Sequence, residues 1–181
     1  MQATMEREIK LRFSSVDEAR AAVLAAGCSP LLCRRLQEDV LLDNEAEDLR
    51  RRRCVLRVRT ESGKSRLTFK GPVQPSAMKL REEVETVVGD GEVLLRVLYE
   101  LGLRPWFRYE KYREEFSHED VTVAIDETPV GVFVEIEGSE DGIATMASLL
   151  GREPSDYVLD SYRGLFLQSG RPGRDMVFDA G

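Results

Sequence analysis

The sequence predicts an α+β fold: an eight-stranded antiparallel β-barrel with helices packed against its outside. Three observations carry that expectation. Eight runs of residues alternate apolar with polar at the period of a β-strand. Most connections between neighbouring runs are short, and the helices are too few for a βαβ array, which favours antiparallel pairing. The polar face of the alternation is almost purely Glu, Asp, Lys and Arg, without the Ser, Thr, Gln and Asn that a solvated face mixes in. A single half-buried sheet with its charges in water is the simpler arrangement. The helices, however, need apolar sheet faces to pack on. A closed barrel meets both demands by turning Ile, Leu, Val and Phe outward beneath the helices and the charges into its lumen. Such a lumen is costly unless its acids and bases meet each other, water, ions or a polyanion.

The elements follow in order. In residues 5–13, Glu6, Glu8, Lys10 and Arg12 share one face, and Arg7, Ile9, Leu11 and Phe13 the other. Ser15-Val16-Asp17-Glu18 has the form of a capping box, residues 19–26 are strong helix formers, and Gly27 is placed to stop them. A second strand spans 37–42. In 55–60, Arg57 and Arg59 project together, and in 65–70 Arg66, Thr68 and Lys70 oppose Leu67 and Phe69. In 79–88, Arg81, Glu83 and Glu85 share a face opposed by Val84. A helix over 92–101 carries Val93, Leu94, Val97, Leu98 and Leu101 at helical spacing before Gly102. Strand 107–116 projects Tyr109, Lys111 and Arg113 together; 121–126 ends on Ile125-Asp126; in 132–138, Glu135 and Glu137 alternate with Val134 and Ile136. Turn signals such as Glu61-Ser62-Gly63-Lys64 separate these runs. A helix over 141–150 lies between Ser139 as cap and Gly151 as stop, and 160–168 forms a short last one. The four arginines at 50–53 read as a solvated approach to the strand that follows.

With 181 residues and 42% hydrophobic content, the chain suits one domain over residues 1–168, followed by a Gly/Pro/Arg-rich flexible tail over 169–181. No apolar run approaches the roughly 20 residues of a membrane-spanning helix, and no secretory signal is visible, so a cytoplasmic protein is expected. A net charge of −7 argues against a general nucleic-acid binder, yet 26 basic residues permit a concentrated cationic site. Cys28, Cys33 and Cys54 have no CxxC spacing and His118 is the single histidine, which argues against a zinc site of the usual kind. His118 reads as a turn residue, and the thiols as buried or idle in a reducing compartment.

Glu6-x-Glu8-x-Lys10 resembles the ExExK signature of the CYTH superfamily, the triphosphate tunnel metalloenzymes. Leu56-Arg57-Val58-Arg59, Leu67 to Pro72, Arg81-Glu82-Glu83-Val84-Glu85, Lys111-x-Arg113-x-x-Phe116 and Phe133-Val134-Glu135-Ile136-Glu137 are similar to the later strands of that family, in order, and Ser161-Tyr162 is similar to its bacterial members. The likeness covers about residues 5–168. It implies an eight-stranded tunnel holding a triphosphate, inorganic or carried on thiamine or a nucleotide such as ATP, with Mg²⁺ or Mn²⁺. By position, Lys10, Arg57, Arg59, Lys70, Arg81, Lys111 and Arg113 would grip phosphate. Glu6, Glu8, Asp126, Glu135 and Glu137 would offer oxygen ligands to one or two metal ions, and Glu83 and Glu85 would orient the cations. Lys10, Glu8 and Glu137 are the catalytic candidates. Residues 37–43 lack the aromatic associated with the family there.

Three functions fit. Triphosphate hydrolysis is favoured, because a water nucleophile needs no exact placement of a nucleoside. A class IV adenylyl cyclase, making cyclic AMP and pyrophosphate from ATP, would use the same site. A non-catalytic polyphosphate or nucleotide binder is the weaker alternative, since the carboxylates are all present. No nucleic-acid or membrane partner is expected; a homodimer is an allowed assembly.

Overall fold

In the computed structural model, which describes residues 4–179, eight antiparallel strands close into a barrel in the order β1-β5-β4-β3-β2-β6-β7-β8. The strands are β1 (Thr4–Phe13), β2 (Ser29–Asp43), β3 (Val55–Glu61), β4 (Lys64–Lys70), β5 (Lys79–Val88), β6 (Arg104–His118), β7 (Val121–Thr128) and β8 (Gly131–Gly138). The helices are α1 (Val16–Ala25), α2 (Asp48–Arg51), α3 (Gly91–Glu100), α4 (Glu140–Leu149) and α5 (Tyr162–Gln168). Among them none is long and apolar enough to cross a membrane.

The alternation does what it predicts. Ile9 and Leu11 of β1, Val123 and Ile125 of β7, and Val134 and Ile136 of β8 face outward and are buried beneath Ala19 and Val23 of α1 and Ile143 and Met146 of α4. Leu42 and Val58 meet Leu98 of α3 in a smaller cluster. The helix starts are fixed by side-chain caps: Ser15, Asp90, Ser139 and Ser161 each accept a backbone N–H from the first turn. Glu18 closes its box on Ser14 instead of Ser15.

Three features differ from expectation. β2 and β6 are each 15 residues long, because they pair with each other far beyond the run that either sequence pattern marks. The arginines at 50–53 are not all a solvated approach: Arg50 and Arg51 belong to α2, whose first turn is tied down when Asp43 accepts the backbone N–H groups of Leu49 and Arg50. The tail is also anchored. Met176 is fully buried, accepts from the Glu110 N–H and donates to the Arg108 carbonyl. Met176 packs with Phe107, Tyr109 and Phe166, while Phe178 lies 5.2 Å from Tyr112. A three-residue apolar run shows no period, so its burial is not readable from pattern alone. Residues 180 and 181 of the expected tail, and 1–3 of the expected domain, lie outside the described residues.

Candidate active site

Inside the barrel a cavity of about 320 Å³ is lined by all seven cations the sequence singles out, Lys10, Arg57, Arg59, Lys70, Arg81, Lys111 and Arg113. Strand parity places them. Glu6, Glu8 and Lys10 leave the inner face of β1, and β8 runs beside it with Glu8 opposite Glu137 and Lys10 opposite Glu135. Arg57 stands opposite Thr68, and Lys70 opposite Glu83. Arg108 lies exposed on the other face of β6 from the buried Lys111 and Arg113.

The lumen is a network of ion pairs. Lys10 donates to Glu8 at 2.8 Å and lies 3.3 Å from Glu135. Burial pulls the pKa of Lys10 down, but Glu8 and Glu135 more than reverse this, and it is raised. Lys70 donates to both oxygens of Glu6 at 2.6 and 2.7 Å and lies 2.7 Å from Glu83. Glu85 accepts from Thr68 at 2.9 Å and from Arg66, which is exposed at the rim, at 2.6 Å.

Two buried aspartates brace the cations. Asp39 takes a two-pronged contact from Arg59 at 2.9 and 3.1 Å and lies 3.3 Å from Arg57. Asp126 accepts from Lys111 at 2.7 Å, from Arg113 at 2.7 and 2.6 Å and from the Tyr162 hydroxyl at 2.5 Å. Burial would push both carboxyls up, but the neighbouring guanidiniums outweigh it and hold them below the usual range. Asp126, grouped by sequence with the metal ligands, therefore stands behind the cavity wall with its oxygens engaged. Glu6, Glu8, Glu135 and Glu137 do line the cavity, as do Glu83 and Glu85.

Sequence reasoning assigned no site role to Lys79, Asp39 or Tyr162, although Tyr162 belongs to the family resemblance. Lys79 has the same parity as Arg81 and Glu83, lines the cavity and donates to Glu8. Burial, with Lys10 nearby, lowers its pKa to about 8. Lys111 is likewise lowered to about 8, by burial and then by Arg113. Asp39 also shares parity with its neighbours, opposite Arg59. The Tyr162 ring packs under Lys10 and Lys111 at 5.3 and 5.0 Å.

The glutamates fit a hard divalent cation by strain and by donor type. Glu137 makes no hydrogen bond or ion pair among the described residues; burial, then Glu6, Glu135 and Glu8, push its pKa up to about 7. Glu6 is raised as well, by burial and then by Glu8 and Glu83 against Lys70. A dication would relieve that repulsion, and oxygen donors suit Mg²⁺ or Mn²⁺. No three such side chains among the described residues converge into a ready-made cage. An ion held by fewer of them would complete its shell with water and phosphate oxygens. On the cationic side, the buried Nε of Arg57 lies 3.3 Å from Asp39 and that of Arg81 3.6 Å from Glu6, ion-pair contacts without hydrogen-bond geometry.

The comparisons with known proteins agree with this architecture. A family model described as the CYTH domain matches residues 4–153. A protein of Methanocaldococcus jannaschii, named "Putative adenylate cyclase", is 29% identical over 136 residues, covering 75% of this chain and 77% of its own length. A Vibrio parahaemolyticus structure described by the same words superposes with a TM-score of 0.79 at 17% identity, covering 92% of this chain and 99% of the other. A Hippeastrum protein, called a "Putative adenylyl cyclase" that reveals a dominant triphosphatase activity, superposes at 0.66 with 19% identity, over 90% and 95% of the two chains. At these identities the two superpositions speak for the fold.

Proposed function

The chain belongs to the CYTH domain family, and on that premise we propose that it is a metal-dependent hydrolase of a phosphoanhydride bond in a triphosphate bound within the barrel. One observation carries the reading: all seven cations singled out by the sequence, joined by Lys79, line one cavity beside Glu6, Glu8, Glu135 and Glu137. So many cations in one cavity call for a polyanion, and phosphate oxygens are the acceptors that forked guanidiniums fit best.

In this reading Arg57, Arg59, Arg81, Arg113, Lys10, Lys70 and Lys111 bind and orient the phosphate chain. Asp39 and Asp126 hold the arginines in place, a bracing role we assign to Asp126 in preference to metal ligation. Glu83 and Glu85 orient Lys70 and, through Thr68, Arg57, which donates to the Thr68 hydroxyl at 3.2 Å. Mg²⁺ or Mn²⁺, held by Glu6, Glu8, Glu135 and Glu137, would supply charge neutralisation and activation of the attacking water. Lys10, between Glu8 and Glu135, stays protonated and can hold the terminal phosphate against that water. Lys79 adds a further cation beside Glu8.

The relative named as an adenylate cyclase supports cyclisation of ATP as the second reading. Hydrolysis is preferred because it needs only a positioned water, and because the Hippeastrum protein pairs the cyclase name with dominant triphosphatase activity. Incubation with inorganic triphosphate, ATP and thiamine triphosphate under Mg²⁺ and Mn²⁺ tests this. Release of inorganic phosphate is the expected result; cyclic AMP with pyrophosphate would establish the cyclase instead. No consumption of any of the three would leave neither enzyme standing.

A further inference from the structure

The cavity opens into a vestibule of about 330 Å³, with which it shares Val55, Lys79, Arg81, Trp106 and Ser161. Trp106 stands there because of an irregularity in β6. Leu41 pairs with Phe107 and Leu42 with Pro105, so Trp106 has no partner on β2 and escapes the alternation that buries Phe107 and Tyr109. The guanidinium of Arg50 lies 4.6 Å from the indole centroid and that of Arg163 4.8 Å. Arg50 is held by Asp43 at 3.3 Å and Glu47 at 2.8 Å. The Arg163 side chain is half-buried, also lies 5.4 Å from the Phe107 ring, and makes no hydrogen bond or ion pair among the described residues. Arg53 also borders the vestibule, and Asp160 is the one acid in its described lining.

We infer that Trp106, Arg50 and Arg163 form a selectivity platform that accepts the uncharged planar base of a nucleoside triphosphate and turns away a triphosphate whose organic group is a cation. This rests on the proposal that the barrel holds a triphosphate. An aromatic base stacks on an indole or guanidinium plane, and its ring nitrogens or oxygens can accept from the unpartnered Arg163. A cationic ring would ordinarily be drawn to an indole face. Here two guanidiniums already make that contact, so the newcomer meets like charge in a partly desolvated mouth. Inorganic triphosphate has no organic group and is indifferent to the platform, which makes it the internal control.

Calorimetric titration of the full chain in EDTA, where metal-dependent turnover is halted, tests the inference with inorganic triphosphate, ATP and thiamine triphosphate, the last bearing a thiazolium cation. The wild type is expected to bind ATP about tenfold or more tightly than thiamine triphosphate. Trp106→Leu should weaken ATP about tenfold, because it removes the indole that holds the two guanidiniums ready for the base, and leave inorganic triphosphate unchanged. Arg163→Glu should narrow the gap between ATP and thiamine triphosphate, and the milder Arg163→Gln should narrow it less. A wild type that prefers thiamine triphosphate, or variants that shift all three ligands by one factor, would overturn the platform while leaving the tunnel intact. Failure of all three to bind would remove the tunnel reading and the platform with it.

Discussion

The two sides of the lumen are charged in opposite ways and balanced to different degrees. On β2, β3, β6 and β7 the cations Arg57, Arg59, Lys111 and Arg113 each have a buried aspartate within reach, and Asp39 and Asp126 are held below the usual carboxylate range by them. On β1 and β8 the carboxylates outnumber Lys10. Glu8 and Glu135 find cations, but Glu137 finds none among the described residues and is pushed up to about 7. The first side is preorganised: its arginines are already aimed, so little is lost when an anion arrives. The second is under-compensated, the condition in which a hard cation is taken up. A complete mutual cancellation would have given a stable, inert barrel. On the proposed function, this asymmetry separates the phosphate side from the metal side.

The sharpest way to break this contrast is to remove carboxylates from each side. Glu8→Gln and Glu137→Gln are expected to depress turnover by orders of magnitude and to weaken Mg²⁺ or Mn²⁺ binding, read by assay and metal titration. Full activity in both folded variants would strip the β1–β8 side of its assigned role. Asp126→Ala should act on folding instead. It leaves Lys111 and Arg113 buried without their shared partner, a loss of about 3–5 kcal/mol in urea unfolding; a loss below about 1 kcal/mol would show the brace to be dispensable.

Smaller effects sharpen the picture. Arg59→Ala should weaken inorganic triphosphate and ATP alike by about ten- to a hundredfold, or roughly 1.5–3 kcal/mol, with Arg59→Lys between it and the wild type. An effect on ATP alone would move Arg59 to recognition of the nucleoside. Glu137 gives a pH signature. Because its folded pKa is raised, the folded chain holds a proton that the unfolded chain has lost between about pH 4.5 and 7. Its charge therefore costs stability as pH rises through that window. Without metal, Glu137→Gln should gain on the wild type in melting temperature between pH 5 and 7, and a constant difference would contradict the assignment. Replacing His118 or the cysteines should change activity least of all, since none of them lines the cavity.

Much of this was legible in the sequence, because parity along a strand decides which face a residue takes. Glu6, Glu8, Lys10, Arg57, Arg59, Lys70 and Arg81 all turn inward as alternation requires. Parity does not decide depth. Asp126 and Glu135 both leave inward faces, yet one is sealed behind Arg113 and Tyr162 while the other lines the cavity, a difference set by the stagger of the strands and the docking of α5. Lys79 and Asp39 had the right parity but no neighbouring signal to single them out. Trp106 was illegible for the opposite reason: an irregular pairing suspends the alternation there.

The anchored tail has a consequence for how the molecule behaves among its own copies. β7 pairs with β6 only from Tyr112 to His118, so the earlier stretch of β6 would present bare amide and carbonyl groups on that side. An open strand edge is a template for another chain. Met176 covers it by satisfying the Arg108 carbonyl and the Glu110 amide, and the Asp175 side chain accepts the Arg108 N–H at 2.8 Å. A chain ending at Gln168 would keep every cavity-lining residue and still expose an adhesive edge beside the apolar socket left by Met176. Asp175 and Met176 thus close a stretch of edge that would otherwise be open to pairing, a task remote from the chemistry in the lumen.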